Sequence, residues 1–238
     1  MHHRRQPHTE RGVDEFHLDY CFPGDEFGFK LTVLVGVERY TGMKLASVVP
    51  TKGATGMFAA RRVVELMNEC GNRDTHVIVR TDQEPAIKFL VADVLKLRTG
   101  AKTMVEEAPK KSSGSNSFVE RAVQTCEGYI RSLKSQLDER YAVKIDIGHP
   151  IVTWLCEYAT YLLNRFVVGR DGKTSYERMK GKRATVLGVE FGERIMLKEK
   201  PVGALRKMIP QWQLGVFLSL TDVKAKNNYY CYVLLLFF

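Results

Sequence analysis

Three acidic residues, far apart in the sequence, have the chemistry needed to bind divalent metal ions together. Asp19 lies within an apolar segment, Asp82 directly follows another, and Glu120 comes shortly after the polar stretch 106–116. Carboxylate oxygens are ligands that Mg²⁺ and Mn²⁺ prefer. Two such ions about 4 Å apart activate an oxygen nucleophile and stabilise the leaving oxygen in a phosphoryl displacement. The three acids are therefore a candidate site for phosphodiester chemistry.

Each acid also has an ordinary structural explanation. A buried salt bridge would account for Asp19, and a cap at the entry to the next helix would account for Asp82. Glu120 follows Ser117 at the spacing of a capping box. Each explanation is about as good as the metal-binding one for a single residue, but three acids in this topological order favour a shared site.

The segment around Asp19 has the pattern of a β-strand. Over residues 15–22, apolar and polar side chains alternate, which predicts a strand with two different faces. One face carries Phe16, Leu18, Tyr20 and Phe22, and the other carries His17, Asp19 and Cys21. An aspartate in such a strand bears a desolvation cost unless it is paired or binds metal.

The rest of the chain supplies the elements that would position the acids. Strands are predicted at 29–38, 43–49, 76–81 and 101–105, and helices at 57–71, from Pro85, from Ser117 and at 151–167. Residues 169–182 are predicted as a polar, basic connection, followed by strands at 194–198, 211–220 and 229–238. This order predicts an α/β fold with a mixed five-stranded sheet flanked by helices, and a partial β-rich C-terminal extension.

Composition favours a polyanionic partner and an intracellular setting. The 238 residues carry a net charge of +9, and residues 170–207 hold eleven Lys/Arg against five Asp/Glu. The five cysteines are widely spaced, which indicates neither a zinc ribbon nor a disulfide framework. Because no apolar run reaches roughly 20 residues, we expect a soluble protein of the nucleus or cytoplasm, not secreted and without a membrane partner.

Three short motifs resemble the integrase catalytic core of retroviruses and long-terminal-repeat retrotransposons. They are His17-Leu18-Asp19-Tyr20, Arg80-Thr81-Asp82-Gln83-Glu84 and Ser115-Asn116-Ser117-Phe118-Val119-Glu120-Arg121, with a weaker match at Thr174-Ser175-Tyr176-Glu177-Arg178. Thirty-seven residues lie between Asp82 and Glu120, which is similar to the family's spacing. The resemblance divides the chain into a basic, disordered lead-in (1–11), a catalytic core (12–180), and a basic linker with an incomplete β-rich region (181–238).

The resemblance implies a ribonuclease-H-like fold and a DDE-type polynucleotidyl transferase. Such an enzyme removes nucleotides from the 3′ ends of element DNA and joins those ends to target DNA. Its acid triad maps onto Asp19, Asp82 and Glu120, which would hold two Mg²⁺ or Mn²⁺ ions. The implied partners are DNA and further copies of the chain. The residues expected to contact DNA are Asn116, Arg121, Lys110 and Lys111.

The sequence also departs from the family pattern. Ser117 stands where the family usually has glycine, a His/His/Cys/Cys zinc domain is not seen before the core, and the apolar end 229–238 is unlike the family's C-terminal region. Two alternatives therefore stay open. One is a catalytically inactive, nucleic-acid-binding remnant of a mobile element, and the other is a ribonuclease-H-like nuclease without joining activity.

Overall fold

The computed structural model describes residues 12–24, 28–53, 56–107, 117–184, 188–198, 212–220 and 231–235. These residues form an α/β fold with eight strands and five helices in the described part of the chain. The strands are β1 (Asp14–Cys21), β2 (Thr32–Glu38), β3 (Lys44–Val49), β4 (Val77–Thr81), β5 (Thr103–Glu107), β6 (Arg194–Lys198), β7 (Trp212–Leu220) and β8 (Cys231–Leu235). The helices are α1 (Phe58–Glu69), α2 (Pro85–Leu97), α3 (Ser117–Tyr141), α4 (Pro150–Phe166) and α5 (Ser175–Lys180).

The first five strands form one mixed sheet in the order β3-β2-β1-β4-β5. Strands β1, β2 and β3 are an antiparallel meander, whereas β4 and β5 run parallel to β1. The predicted five-stranded mixed sheet is confirmed. The strand that carries Asp19 lies at its centre, next to the strand that precedes Asp82.

Helices cover both faces of this sheet, so the central strands are buried on both sides. Phe16, Leu18 and Tyr20 of β1 pack with α1 and α2 on one face. Cys21, on the other face of β1, packs with α3 and α4. The predicted division of this strand into two faces is therefore correct, and the Asp19 face is the one that α3 covers.

The last three strands form a second, antiparallel sheet in the order β6-β7-β8. Phe217 of β7 and Phe191 pack on the Tyr158 ring of α4, with ring centroids 6.3 and 5.2 Å away. All three aromatic residues belong to the same apolar cluster as α3 and α4. The predicted β-rich extension is confirmed over the described residues, and it completes the core on that side.

The structure corrects one predicted element and adjusts another. Residues 175–180, predicted as part of a connection, form helix α5 because Thr174 and Glu177 make a capping box at its N-terminus. Strand β2 begins at Thr32, three residues later than position 29, where the predicted strand starts. Helices long and apolar enough to span a bilayer are not found in the described ranges. The predicted lead-in, residues 1–11, lies outside them.

Candidate metal and nucleic-acid site

Asp19 lies near the carboxyl end of β1 in a half-buried position. Its Oδ1 accepts a 2.7 Å hydrogen bond from the Tyr20 backbone N–H. Within the described residues Asp19 forms no ion pair, so the buried salt bridge considered from the sequence is not what holds it. The carboxylate is partly removed from water, and no cationic side chain in the described part of the chain bonds it directly.

Burial and neighbouring acids raise the pKa of Asp19 to about 6. Loss of water contact is the largest cause, and the charges of Asp82 and Glu84 act in the same direction. The Tyr20 N–H and the charge of Lys52 oppose the rise without cancelling it. A carboxylate with a raised pKa beside two other acids marks a point where a cation would be stabilised.

Sheet register explains why Asp82 is close to Asp19. Strands β1 and β4 are parallel neighbours, and His17 pairs with Arg80. Asp19 and Asp82 each come two residues after this pair, so both acids lie toward the carboxyl ends of these two parallel strands. Asp82 Oδ1 accepts a 3.0 Å hydrogen bond from the Glu84 N–H, which fixes the turn before α2. Asp82 therefore stabilises this turn and also lies close to Asp19.

Glu120 lies in the first turn of α3 and is exposed. This turn is held against β1 by Phe118, whose ring centroid lies 5.2 Å from that of the buried His17. The helix begins at Ser117, so this residue is itself helical rather than the preceding cap. Within the described ranges, no group of three or more Asp, Glu, His or Cys side chains is close enough to hold an ion.

The structure adds two neighbours that the metal-site hypothesis did not include. Glu84 acts on Asp19 electrostatically and forms an ion pair with Lys52. The Lys52 ammonium also lies over the rings of Phe22 and Tyr20, 5.1 and 5.9 Å from their centroids. Glu84 was visible as part of the second motif. Lys52 had no signal in the sequence, because its position depends on the loop after β3.

A second charged cluster lies at the other end of β1. The Glu15 carboxylate is 3.0 Å from Arg39 Nη1, 3.1 Å from Arg80 Nη1 and 2.6 Å from His17 Nε2. Burial alone would raise the pKa of Glu15, but the hydrogen bonds and charges of His17 and Arg39 lower it to about 2. This cluster ties the β2–β3 turn and β4 to the strand that carries Asp19.

The residues predicted to contact nucleic acid are only partly within the described ranges. Arg121 is exposed at the start of the second turn of α3, next to Glu120. Asn116, Lys110 and Lys111 lie outside the described residues. Their role in binding DNA stays a prediction.

The acids present fit a divalent cation in charge and in ligand type. Asp19 offers carboxylate oxygens from β1 and Asp82 offers them from the residue after the parallel strand β4, and the charge of Asp82 contributes to the raised pKa of Asp19. Hard oxygen donors of this kind suit Mg²⁺ or Mn²⁺. Two of the three predicted ligands are thus neighbours, and the turn that carries Glu120 contacts β1 through Phe118 and His17.

Comparison with solved structures supports the fold. The chain is similar to a protein in the simian T-cell lymphotropic virus intasome with PP2A regulatory subunit B56 gamma, at 14% identity and a TM-score of 0.52, covering 91% of this chain and 74% of the other. Two integrase catalytic core domains also align. The BIV domain shares 18% identity over 70% of this chain and 93% of its own, with a TM-score of 0.48. The HTLV-2 domain, solved with magnesium in a trimeric form, shares 14% over 69% and 95%, also with a TM-score of 0.48.

The described core therefore has the ribonuclease-H-like fold of retroviral integrase catalytic cores, as the sequence motifs predicted. No family model matches the sequence. No curated protein matches it either.

Proposed function

We propose that this chain is a metal-dependent polynucleotidyl transferase of the integrase type, encoded by a retrotransposon. It processes the 3′ ends of element DNA and joins them to target DNA. Its partners in this reaction are the two DNAs and further copies of the chain. The observation that carries the proposal is the position of Asp19 on β1 and of Asp82 directly after the parallel neighbour β4, where the charge of Asp82 helps to raise the pKa of Asp19.

Two further features support the proposal. The fold is shared with a chain of a viral intasome, and another relative of the same fold is described as a complex with magnesium. The sequence also places Glu120 in the first turn of a long helix whose start is packed against β1. The proposed triad thus comes from three elements that meet around one strand.

The proposed roles follow from where the acids lie. Asp19, on the central strand of the sheet, would hold the metal ions together with Asp82 and Glu120. When bound, the ions activate an oxygen nucleophile and stabilise the leaving oxygen of a phosphodiester. The chain itself orients the carboxylates: the Tyr20 N–H holds one Asp19 oxygen, and the Glu84 N–H holds one Asp82 oxygen. Arg121, Asn116, Lys110 and Lys111 would contact DNA phosphates near Glu120.

A strand-transfer assay on element-end DNA with Mg²⁺ or Mn²⁺ tests this function. We expect joined product from the wild-type chain and none from Asp82→Asn. Asp146→Asn is a matched control, because Asp146 Oδ1 accepts the Gly148 N–H at 2.6 Å in the same type of turn but belongs to the connection between α3 and α4. The control separates loss of a metal ligand from loss of a turn.

Two results would contradict the proposal. One is undiminished joining by Asp82→Asn, and the other is absence of joining by the wild-type chain. Cleavage of the donor ends without any joining would instead identify a ribonuclease-H-like nuclease.

The second candidate function is a nucleic-acid-binding remnant without catalysis. The observation that favours it is the position of Lys52, whose ammonium pairs with Glu84 and acts on Asp19. A lysine there neutralises part of the acidic charge that metal ions would otherwise neutralise. DNA binding that weakens steeply with added salt, together with no metal-dependent product, would support this candidate.

A further inference from the structure

A cavity of about 470 Å³ lies beside the first turn of α3, on the side of Arg121. It is bounded by the end of β2, the β2–β3 turn, α3, the end of α4, and α5. Its lining residues are Val37, Arg39, Tyr40, Gly42, Lys44, Ser117, Phe118, Arg121, Ala122, Thr125, Leu163, Val167 and Arg178. Four of these residues are cationic and none is acidic. Its volume is in the range of sites that bind small organic molecules.

Two of the cations converge at the β2–β3 turn. Lys44 Nζ donates a 2.9 Å hydrogen bond to the Gly42 carbonyl, and Arg178 Nη1 donates one of 2.9 Å to the Thr41 carbonyl. A Cβ atom placed on Gly42 would be 3.2 Å from Ser175 Oγ, 3.8 Å from Arg178 Nη1 and 3.9 Å from Lys44 Nζ. The Gly42 backbone therefore lies beside both positive charges.

The positive charge of the residues that line the cavity is only partly neutralised. Arg39 pairs with Glu15, and Arg178 pairs with Asp171. Among the described residues, no carboxylate forms an ion pair with Lys44 or Arg121. Burial lowers the pKa of Lys44, and the charge of Arg178 acts in the same direction.

The remaining lining gives the cavity a second, apolar character. Val37, Ala122 and Leu163 are buried, and Phe118 and Val167 present partly exposed side chains. The first turn of a long helix also contributes partial positive charge from its backbone N–H groups. Cations and apolar side chains in the same lining suit a phosphate group carried on an organic body.

We propose that this cavity is a binding site for a phosphate-bearing ligand of nucleotide size, with Lys44, Arg178 and Arg121 around the phosphate. The ligand is either a free nucleotide or one nucleotide of a strand, since both carry the same phosphate. The site is separate from the Asp19–Asp82 pair, and its existence does not depend on the proposed catalysis.

Titration of the full chain with adenosine monophosphate, followed by calorimetry and NMR, tests the site. We expect saturable binding that Arg121→Gln and Lys44→Gln each weaken about tenfold, because each removes one charge-assisted contact. Arg131→Gln is the matched control, since Arg131 is an exposed cation on the same helix that does not line the cavity. It should bind like the wild type. Adenosine, which lacks the phosphate, should bind far more weakly.

Arg121→Gln should fold normally, because Arg121 is exposed and its replacement disturbs no described hydrogen bond. Lys44 is partly buried, so each titration of Lys44→Gln is accompanied by a melting curve. The proposal is overturned if adenosine monophosphate does not bind at millimolar concentration. It is equally overturned if Arg131→Gln weakens binding as much as Arg121→Gln does, since that result indicates a general charge effect.

A competition experiment identifies the source of the phosphate. A single-stranded oligonucleotide that displaces adenosine monophosphate, and loses this ability in Arg121→Gln, assigns the site to a nucleic-acid strand. An oligonucleotide that binds without displacement assigns it to a free nucleotide. Both results support the cavity as a phosphate site, and neither requires the chain to be catalytically active.

Discussion

The ring of Phe118 lies against that of His17, with centroids 5.2 Å apart, so the first turn of α3 touches the strand that carries Asp19. His17 is 1% exposed, whereas Phe118 is 38% exposed. The contact therefore anchors the helix start on a rigid strand. Through this contact, the turn that carries Glu120 packs on the strand that carries Asp19.

Replacing Phe118 by alanine should release this turn. We expect a loss of about 1 kcal/mol in the free energy of unfolding, since the ring is only partly buried. We expect a larger proportional loss of metal-dependent activity, because Glu120 would no longer be held near β1. Urea unfolding and a strand-transfer assay measure the two effects. Phe89→Ala is the control, because Phe89 is an exposed ring on α2; equal activity loss in both variants would contradict the anchoring role.

Asp19→Asn should stabilise the metal-free chain at neutral pH. Burial, Asp82 and Glu84 raise the pKa of Asp19 from 3.8 to about 6, so the ionised carboxylate is unfavourable in the fold. We expect a gain of about 1–2 kcal/mol in the free energy of unfolding, measured with urea in the presence of a chelator. Added Mg²⁺ should stabilise the wild type and leave Asp19→Asn unchanged. A wild type that is equally stable with and without Mg²⁺ would argue against a metal site.

Glu15 should give the fold a distinct acid sensitivity. Its pKa is lowered from 4.5 to about 2 in the folded chain, so the unfolded chain takes up the proton first as the pH falls. Stability from this group is therefore complete above about pH 4.5 and is lost as the pH falls toward 2. Glu15→Gln should remove that part of the pH profile.

At neutral pH, Glu15→Gln should cost about 3 kcal/mol, because it removes the buried carboxylate that pairs with Arg39 and leaves Arg80 with Glu106 alone. Thermal and urea melts across pH 2 to 7 measure both effects. Glu65→Gln is the control, since Glu65 pairs with Arg62 on the exposed surface of α1 and should change stability by less than about 1 kcal/mol. A pH profile for Glu15→Gln that matches the wild type would show that the cluster is not the source.

Lys52→Met should strengthen binding of divalent metal. The Lys52 ammonium pairs with Glu84 and offsets the negative charge around Asp19, so its removal leaves more charge for an added cation. We expect about fivefold tighter Mg²⁺ or Mn²⁺ binding by calorimetry, which corresponds to about 1 kcal/mol. Lys88→Met removes a comparable surface pair with Glu107 and should have no effect. Weaker binding in Lys52→Met would mean that the lysine helps to position Glu84.

Much of the sheet could be predicted from the sequence, because alternation and apolar runs report local burial. Such patterns predict the two faces of β1, the position of Asp19 on this strand and the position of Asp82 at the end of β4. Helix α5 does not follow from the pattern because its six residues are too few to show periodicity; its one signal is the Thr174–Glu177 capping box.

Other features could not be predicted because they depend on side chains brought together from distant segments. Lys52 reaches Glu84 across 32 positions, and the Lys44–Arg178 pair forms only when α5 packs beside the β2–β3 turn. Neither spacing has a local signature. The charge of these residues was visible in the sequence, but their partners were not.

The packing of Phe191 and Phe217 on Tyr158 decides where this chain can be shortened. A fragment that ends at residue 180, the core boundary suggested by the motifs, would leave that part of α4 uncovered in water. Leu137 of α3 would also lose Gly192, which fits against it so tightly that an added Cβ would clash. We expect such a fragment to aggregate through the exposed apolar surface. A purifiable fragment that contains Asp19, Asp82 and Glu120 should therefore continue through β7.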